Sequence, residues 1–130
     1  MLGLKNFLVP SGRSLRTIKS GLLKGLSVPL TLENQTQIYV GLWEREHYSY
    51  TRRLTRGIST YVDVGAHQGL MTAFGSTKTS AKRILSFEPN SAFHEQIRAS
   101  VTRNAGRDRV EDVSIVGSIV SDSDGEDTVT

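Results

Sequence analysis

The chain contains no cysteine. That excludes a disulfide framework and a thiolate nucleophile, and it suits a reducing, cytoplasmic setting. No apolar run approaches the roughly 18 residues that a membrane span requires, so no span is expected. The three histidines, His47, His67 and His94, have no ligand-like spacing, and there is no His-Glu-x-x-His; no metal site is expected. Acidic residues are missing from residues 1–32, which carry Lys5, Arg13, Arg16, Lys19 and Lys24. Basic residues are missing after Arg109, where Glu111, Asp112, Asp122, Asp124, Glu126 and Asp127 follow. A basic, acid-free start can be a transit peptide or can touch anionic lipid or nucleic acid. It lacks the interleaved aromatics of a single-strand stacking platform, so a solvated face is the simpler reading and no nucleic-acid partner is expected.

What is present is ordinary for a soluble α/β chain of 130 residues, with 37% hydrophobic and 22% charged residues. Leu15, Ile18, Leu22 and Leu26 fall at helical spacing, which predicts a helix closed by Pro29. Gly21 and Gly25 weaken it, each by about 1 kcal/mol relative to alanine. Residues 30–42 read as two short strands around a polar turn that holds the sequon Asn34-Gln35-Thr36. Trp43, His47, Tyr50 and Leu54 define one face of an amphipathic helix ended by Gly57.

From Ile58 the pattern changes. Ile58–Val64, Ile84–Phe87 and Val113–Val120 read as strands. A helix follows Gly69, interrupted at Gly75-Ser76-Thr77. A second helix is capped by Asn90 or Ser91, buries Phe93, Ile97 and Val101, and ends at Gly106. Asp122 to Gly125 reads as a turn. Strand–helix alternation of this kind builds a parallel sheet. The expected fold is α/β, a partial Rossmann-like sheet preceded by an N-terminal helix and short strands. The expected division is a basic helical segment over 1–32 and a ligand-binding domain over 33–130.

In such sheets ligands bind beyond the carboxyl ends of the strands. The first such end is Tyr61-Val-Asp63-Val-Gly65-Ala66-His67-Gln-Gly69, and the second is Phe87-Glu88-Pro89-Asn90. Gly65 lets the backbone turn sharply and approach a ligand. Gly69 opens a helix whose free N–H groups favour a negative group. Glu88 can accept hydrogen bonds from two vicinal ribose hydroxyls, with Pro89 and Asn90 flanking the base. Asp63 can meet an ammonium group. The dinucleotide fingerprint G-x-G-x-x-G is not matched, because Ala66 and His67 follow the first glycine and a side chain at His67 would crowd a pyrophosphate. No Walker loop is present. A purely structural α/β unit with a tight turn is the other reading of these residues.

These two motifs resemble the FkbM-like branch of class I S-adenosylmethionine-dependent methyltransferases, which typically reads Asp-Val-Gly-Ala-Asn-x-Gly and then Phe-Glu-Pro-Asn. Trp43-Glu44, Asn104 and Ser121–Gly125 extend the resemblance over residues 38–127. His67 stands where the family usually has Asn, and Gly75-Ser76-Thr77 where it tends to have Ala and Leu. The resemblance implies S-adenosylmethionine as cofactor and O-methylation of a sugar or natural-product hydroxyl, on a small-molecule or glycan acceptor. It implies cofactor contacts from Asp63, Gly65, Ala66, His67, Gly69, Glu88, Pro89 and Asn90. It assigns no catalytic residue. A complete sheet of this class has seven strands, so roughly 100 residues at about 30 per strand–helix unit are expected beyond this chain. The alternative reading is a truncated, non-catalytic fragment that binds cofactor or serves as an interaction module.

Overall fold

The computed structural model describes residues 12–105 and 109–125. The chain divides into two compact units, Met1–Leu54 and Thr55–Thr130.

The first unit opens with an antiparallel hairpin where the sequence predicts a helix. Strands β1 (Arg13–Thr17) and β2 (Ser27–Thr31) pair from Arg13↔Thr31 to Thr17↔Ser27. Gly21 and Gly25 decide the outcome. Both take positive φ, 77° and 87°, which a right-handed helix does not allow. The linker Ile18–Leu26 folds instead into a tight turn closed by Ile18 N–H on Leu26 O at 2.9 Å and Gly25 N–H on Ile18 O at 2.9 Å. Of the apolar residues that suggested a helix, Ile18, Leu22 and Leu26 are buried in that turn beside Leu23, while Leu15 is 57% exposed on β1. The basic residues Lys19 and Lys24 are exposed on the turn, and Arg13 is exposed on β1.

The expected strand pair over 30–42 is also corrected. Helix α1 (Leu32–Val40) occupies it, kinked at Gln35, whose Oε1 accepts from Thr31 N–H at 2.8 Å. Asn34 of the sequon lies in α1 rather than in a turn. Gly41 ends the helix in the left-handed region, with φ of 77°. The expected helix from Trp43 is shorter. A 3-10 turn (Arg45–His47) leads into α2 (Tyr48–Leu54). Its orientation differs from the sequence reading as well. Tyr48 Oη donates to Gly41 O at 2.8 Å and turns that side inward, leaving Tyr50 61% and Leu54 66% exposed.

The second unit follows the expected alternation. Strand β3 (Thr60–Val64) leads to α3 (Leu70–Lys78), β4 (Arg83–Phe87), a 3-10 turn (Ser91–Phe93), α4 (His94–Ala105) and β5 (Asp112–Val116). The strands are parallel in the order β3-β4-β5, with Asp63↔Ser86↔Ile115 and Val64↔Phe87↔Val116 in register. β5 ends at Val116, so Gly117–Val120 lies outside the expected third strand. Gly106 lies outside the described residues.

Helix α3 packs on β3, β4 and α4. Its buried residues join Ile84, Ile97 and Val101, and Tyr61 meets Phe74 edge-on at 6.1 Å. The helix runs through Gly75-Ser76-Thr77 without interruption. A Cβ on Gly75 would lie 2.3 Å from Tyr61 Cδ1, so this glycine lets the ring lie against the helix. The last carbonyls of α3 find partners outside it. Thr79 Oγ1 donates to Gly75 O at 2.6 Å, and Arg109 Nε donates to Ser76 O at 2.9 Å, a cation at the negative end of the helix. No helix among the described residues is long and apolar enough to cross a membrane.

Candidate functional site

The carboxyl ends of β3 and β4 lie side by side, and the expected site residues gather there. The chain leaves β3 at Val64 and turns at Gly65, with φ of 75°. The N–H groups of Gly65 and Ala66 both donate to Phe87 O, at 2.9 and 3.0 Å. This ties the loop to the end of β4. Open space surrounds Gly65: a Cβ there would meet nothing within 4 Å. Gly69 differs. Its φ is 83°, and a Cβ would lie 2.9 Å from Ile97 Cα, so the loop passes directly against α4.

Glu88 is buried, 6% exposed, and its carboxylate is held by the two segments around it. Oε2 accepts from His67 N–H at 2.7 Å and Oε1 from Asn90 N–H at 2.9 Å. Each oxygen keeps a lone pair. The main chain is fixed too: Glu88 N–H donates to Val116 O at 3.0 Å, and Glu88 O lies 2.6 Å from His94 Nε2. Asn90 Oδ1 accepts from Ala92 N–H at 3.0 Å and caps the 3-10 turn before α4. Pro89 is half-buried between Glu88 and Asn90.

Asp63 is engaged within the fold. Its side chain lies on the sheet face that α3 covers. Oδ2 accepts from Thr72 Oγ1 at 2.6 Å, and Thr72 Oγ1 is 3.0 Å from Ser86 Oγ. The first turn of α3 thus already has its negative group, supplied by the protein. Burial raises the Asp63 pKa first of all; the Thr72 bonds pull it down, and the charge of Glu88 pushes it up. Burial, with the charge of Asp63 second, also pushes the Tyr61 hydroxyl well above its ordinary value.

His67 adopts φ of 49°. Non-glycine residues there are uncommon, with Asn, Asp and His the most frequent. Its ring turns to Phe93, with centroids 4.2 Å apart and planes at 45°. Thr72, Ser86 and His94 were not singled out from the sequence. The signal was a hydroxyl at an otherwise apolar strand position, Ser86 between Leu85 and Phe87. Ser118 and Asp122, beyond β5, are exposed.

The arrangement presents two buried carboxylates at neighbouring strand ends, with no ion-pair partner among the described residues. Glu88 retains one acceptor site on each oxygen, which suits a pair of vicinal hydroxyls. The backbone at Gly65 is open to close approach. The N–H groups of Gly65 and Ala66 are engaged with Phe87, so they do not form a free cradle for a pyrophosphate. No three His, Cys, Asp or Glu side chains among the described residues gather as a metal site would need. Compared with known proteins, the chain matches no protein-family model, no curated protein and no solved structure.

Proposed function

We propose that the second unit binds S-adenosylmethionine and belongs to an FkbM-like methyltransferase acting on a hydroxyl of a small molecule or glycan. One observation carries the reading: the Glu88 carboxylate, pre-oriented at the end of β4 by the N–H groups of His67 and Asn90, beside the open backbone of Gly65. Glu88 would receive the ribose hydroxyls. Asp63 and Glu88 together make the strand ends electronegative and favour a ligand with cationic groups. When bound, the cofactor supplies an electrophilic methyl group. The chain's own contribution is orientation. A carboxylate already aligned by two backbone donors loses little freedom when it accepts further bonds. Methyl transfer then needs the acceptor oxygen in line and its proton removed.

Calorimetric titration with S-adenosylhomocysteine tests the reading. The wild-type chain is expected to bind it and to give no heat with NAD. Glu88→Ala removes bonds to a charged acceptor, each worth about 1.5–3 kcal/mol, so affinity should fall at least about tenfold. Absence of heat with the wild type, or full affinity in a folded Glu88→Ala protein, would sink the proposal.

A further inference from the structure

The Glu88 carboxylate is gripped from two directions by two separate segments. On one side is the glycine loop, whose His67 N–H reaches Oε2 at 2.7 Å. On the other is the short turn after β4, whose Asn90 N–H reaches Oε1 at 2.9 Å. His94 Nε2 fixes the Glu88 carbonyl, so the freedom that remains belongs to the side chain and its two donors. The loop and the turn also meet at a ring pair, His67 against Phe93 at 4.2 Å. His67 is exposed and Phe93 half-buried, so the pair is not core packing. The imidazole also sits on a backbone with φ of 49°, where glycine would be less strained. The ring contact joins the two halves of the Glu88 cradle.

We propose that His67 and Phe93 form a clasp that holds the loop and the turn together across Glu88. Both are positioning residues for ligand recognition by that carboxylate. The identity of the ligand rests on the methyl-donor reading above; the clasp itself does not.

Two measurements on the whole chain test it. Amide hydrogen exchange in the ligand-free protein reads the His67 and Asn90 donors directly. Titration with S-adenosylhomocysteine reads their consequence. His67→Gly relieves the backbone strain and removes the ring. Phe93→Leu keeps apolar bulk and removes the ring partner. His67→Phe keeps a ring pair without an imidazole. An aromatic pair of this kind is worth about 0.5–1.5 kcal/mol, so exchange at both amides should quicken about fivefold in the first two variants. The dissociation constant should rise by a similar factor, and His67→Phe should restore both. Unchanged exchange at both amides in His67→Gly and in Phe93→Leu overturns the clasp, whatever the ligand does. If the wild type binds no S-adenosylhomocysteine but exchange quickens as expected, the methyl-donor reading fails and the clasp stands.

Discussion

Asp63 shows how one residue can serve the fold at a cost to its own ionisation. It is 9% exposed, has no ion-pair partner among the described residues, and accepts from the Thr72 hydroxyl. Burial raises its pKa above the ordinary 3.8, against the pull of Thr72. A carboxyl that holds its proton more tightly when folded contributes stability that is complete below 3.8 and declines as the pH climbs through the raised folded value. Asp63→Asn keeps an oxygen to accept from Thr72 and removes the titration. Urea midpoints measured from pH 4 to pH 7.5 should therefore show the variant gaining on the wild type as the pH rises. Parallel curves would show that Asp63 titrates alike in the folded and unfolded chain. At this scale the sequence was legible where the backbone dictates the residue. Gly65 and Gly69 take positive φ, and Glu88 closes a strand, so each announces its place. Thr72 and Phe93 were not legible as partners. Periodicity identifies the side of a helix that is buried but not the group it meets there.

Among elements, the alternation after Ile58 was readable because each strand and helix buries a side with its own period. The hairpin was not, since Leu15, Ile18, Leu22 and Leu26 suit a helix by spacing and a compact turn by composition. The choice lay with two glycines whose φ the sequence does not print. Gly75 was misjudged for a related reason: helix propensity counts its cost and not the ring beside it. Gly75→Ala isolates the two effects. Propensity alone favours alanine by about 1 kcal/mol. A Cβ at 2.3 Å from Tyr61 Cδ1 must displace the ring or the helix, and overpacking of this kind costs about 1–3 kcal/mol. The variant should be destabilised in urea unfolding, and Tyr61→Leu in the same chain should recover part of the loss. A gain in stability from Gly75→Ala alone would mean that the ring moves aside freely.

For the second unit as a whole, the dominant fact is a sheet with two unlike faces. Tyr61, Asp63, Ile84 and Ser86 lie under the helices, while Val62 and Val64 are 52% and 59% exposed. Register sets Val62 beside Leu85, and Val64 beside Phe87, which is followed by Val116 on β5, so the exposed valines continue into half-buried apolar neighbours. Parallel sheets ordinarily have both faces covered. An apolar patch open to water favours self-association and dye binding. Replacing both valines with threonine preserves the β-branched shape that suits a strand and adds a hydroxyl where water can reach it. Because both positions are exposed, each change should move stability by no more than about 0.5 kcal/mol. The double variant should bind less 8-anilinonaphthalene-1-sulfonate and sediment closer to a monomer than the wild type does. Equal dye binding and equal sedimentation in the two proteins would mean that this face is already shielded in solution, and the apolar row would then count as interior.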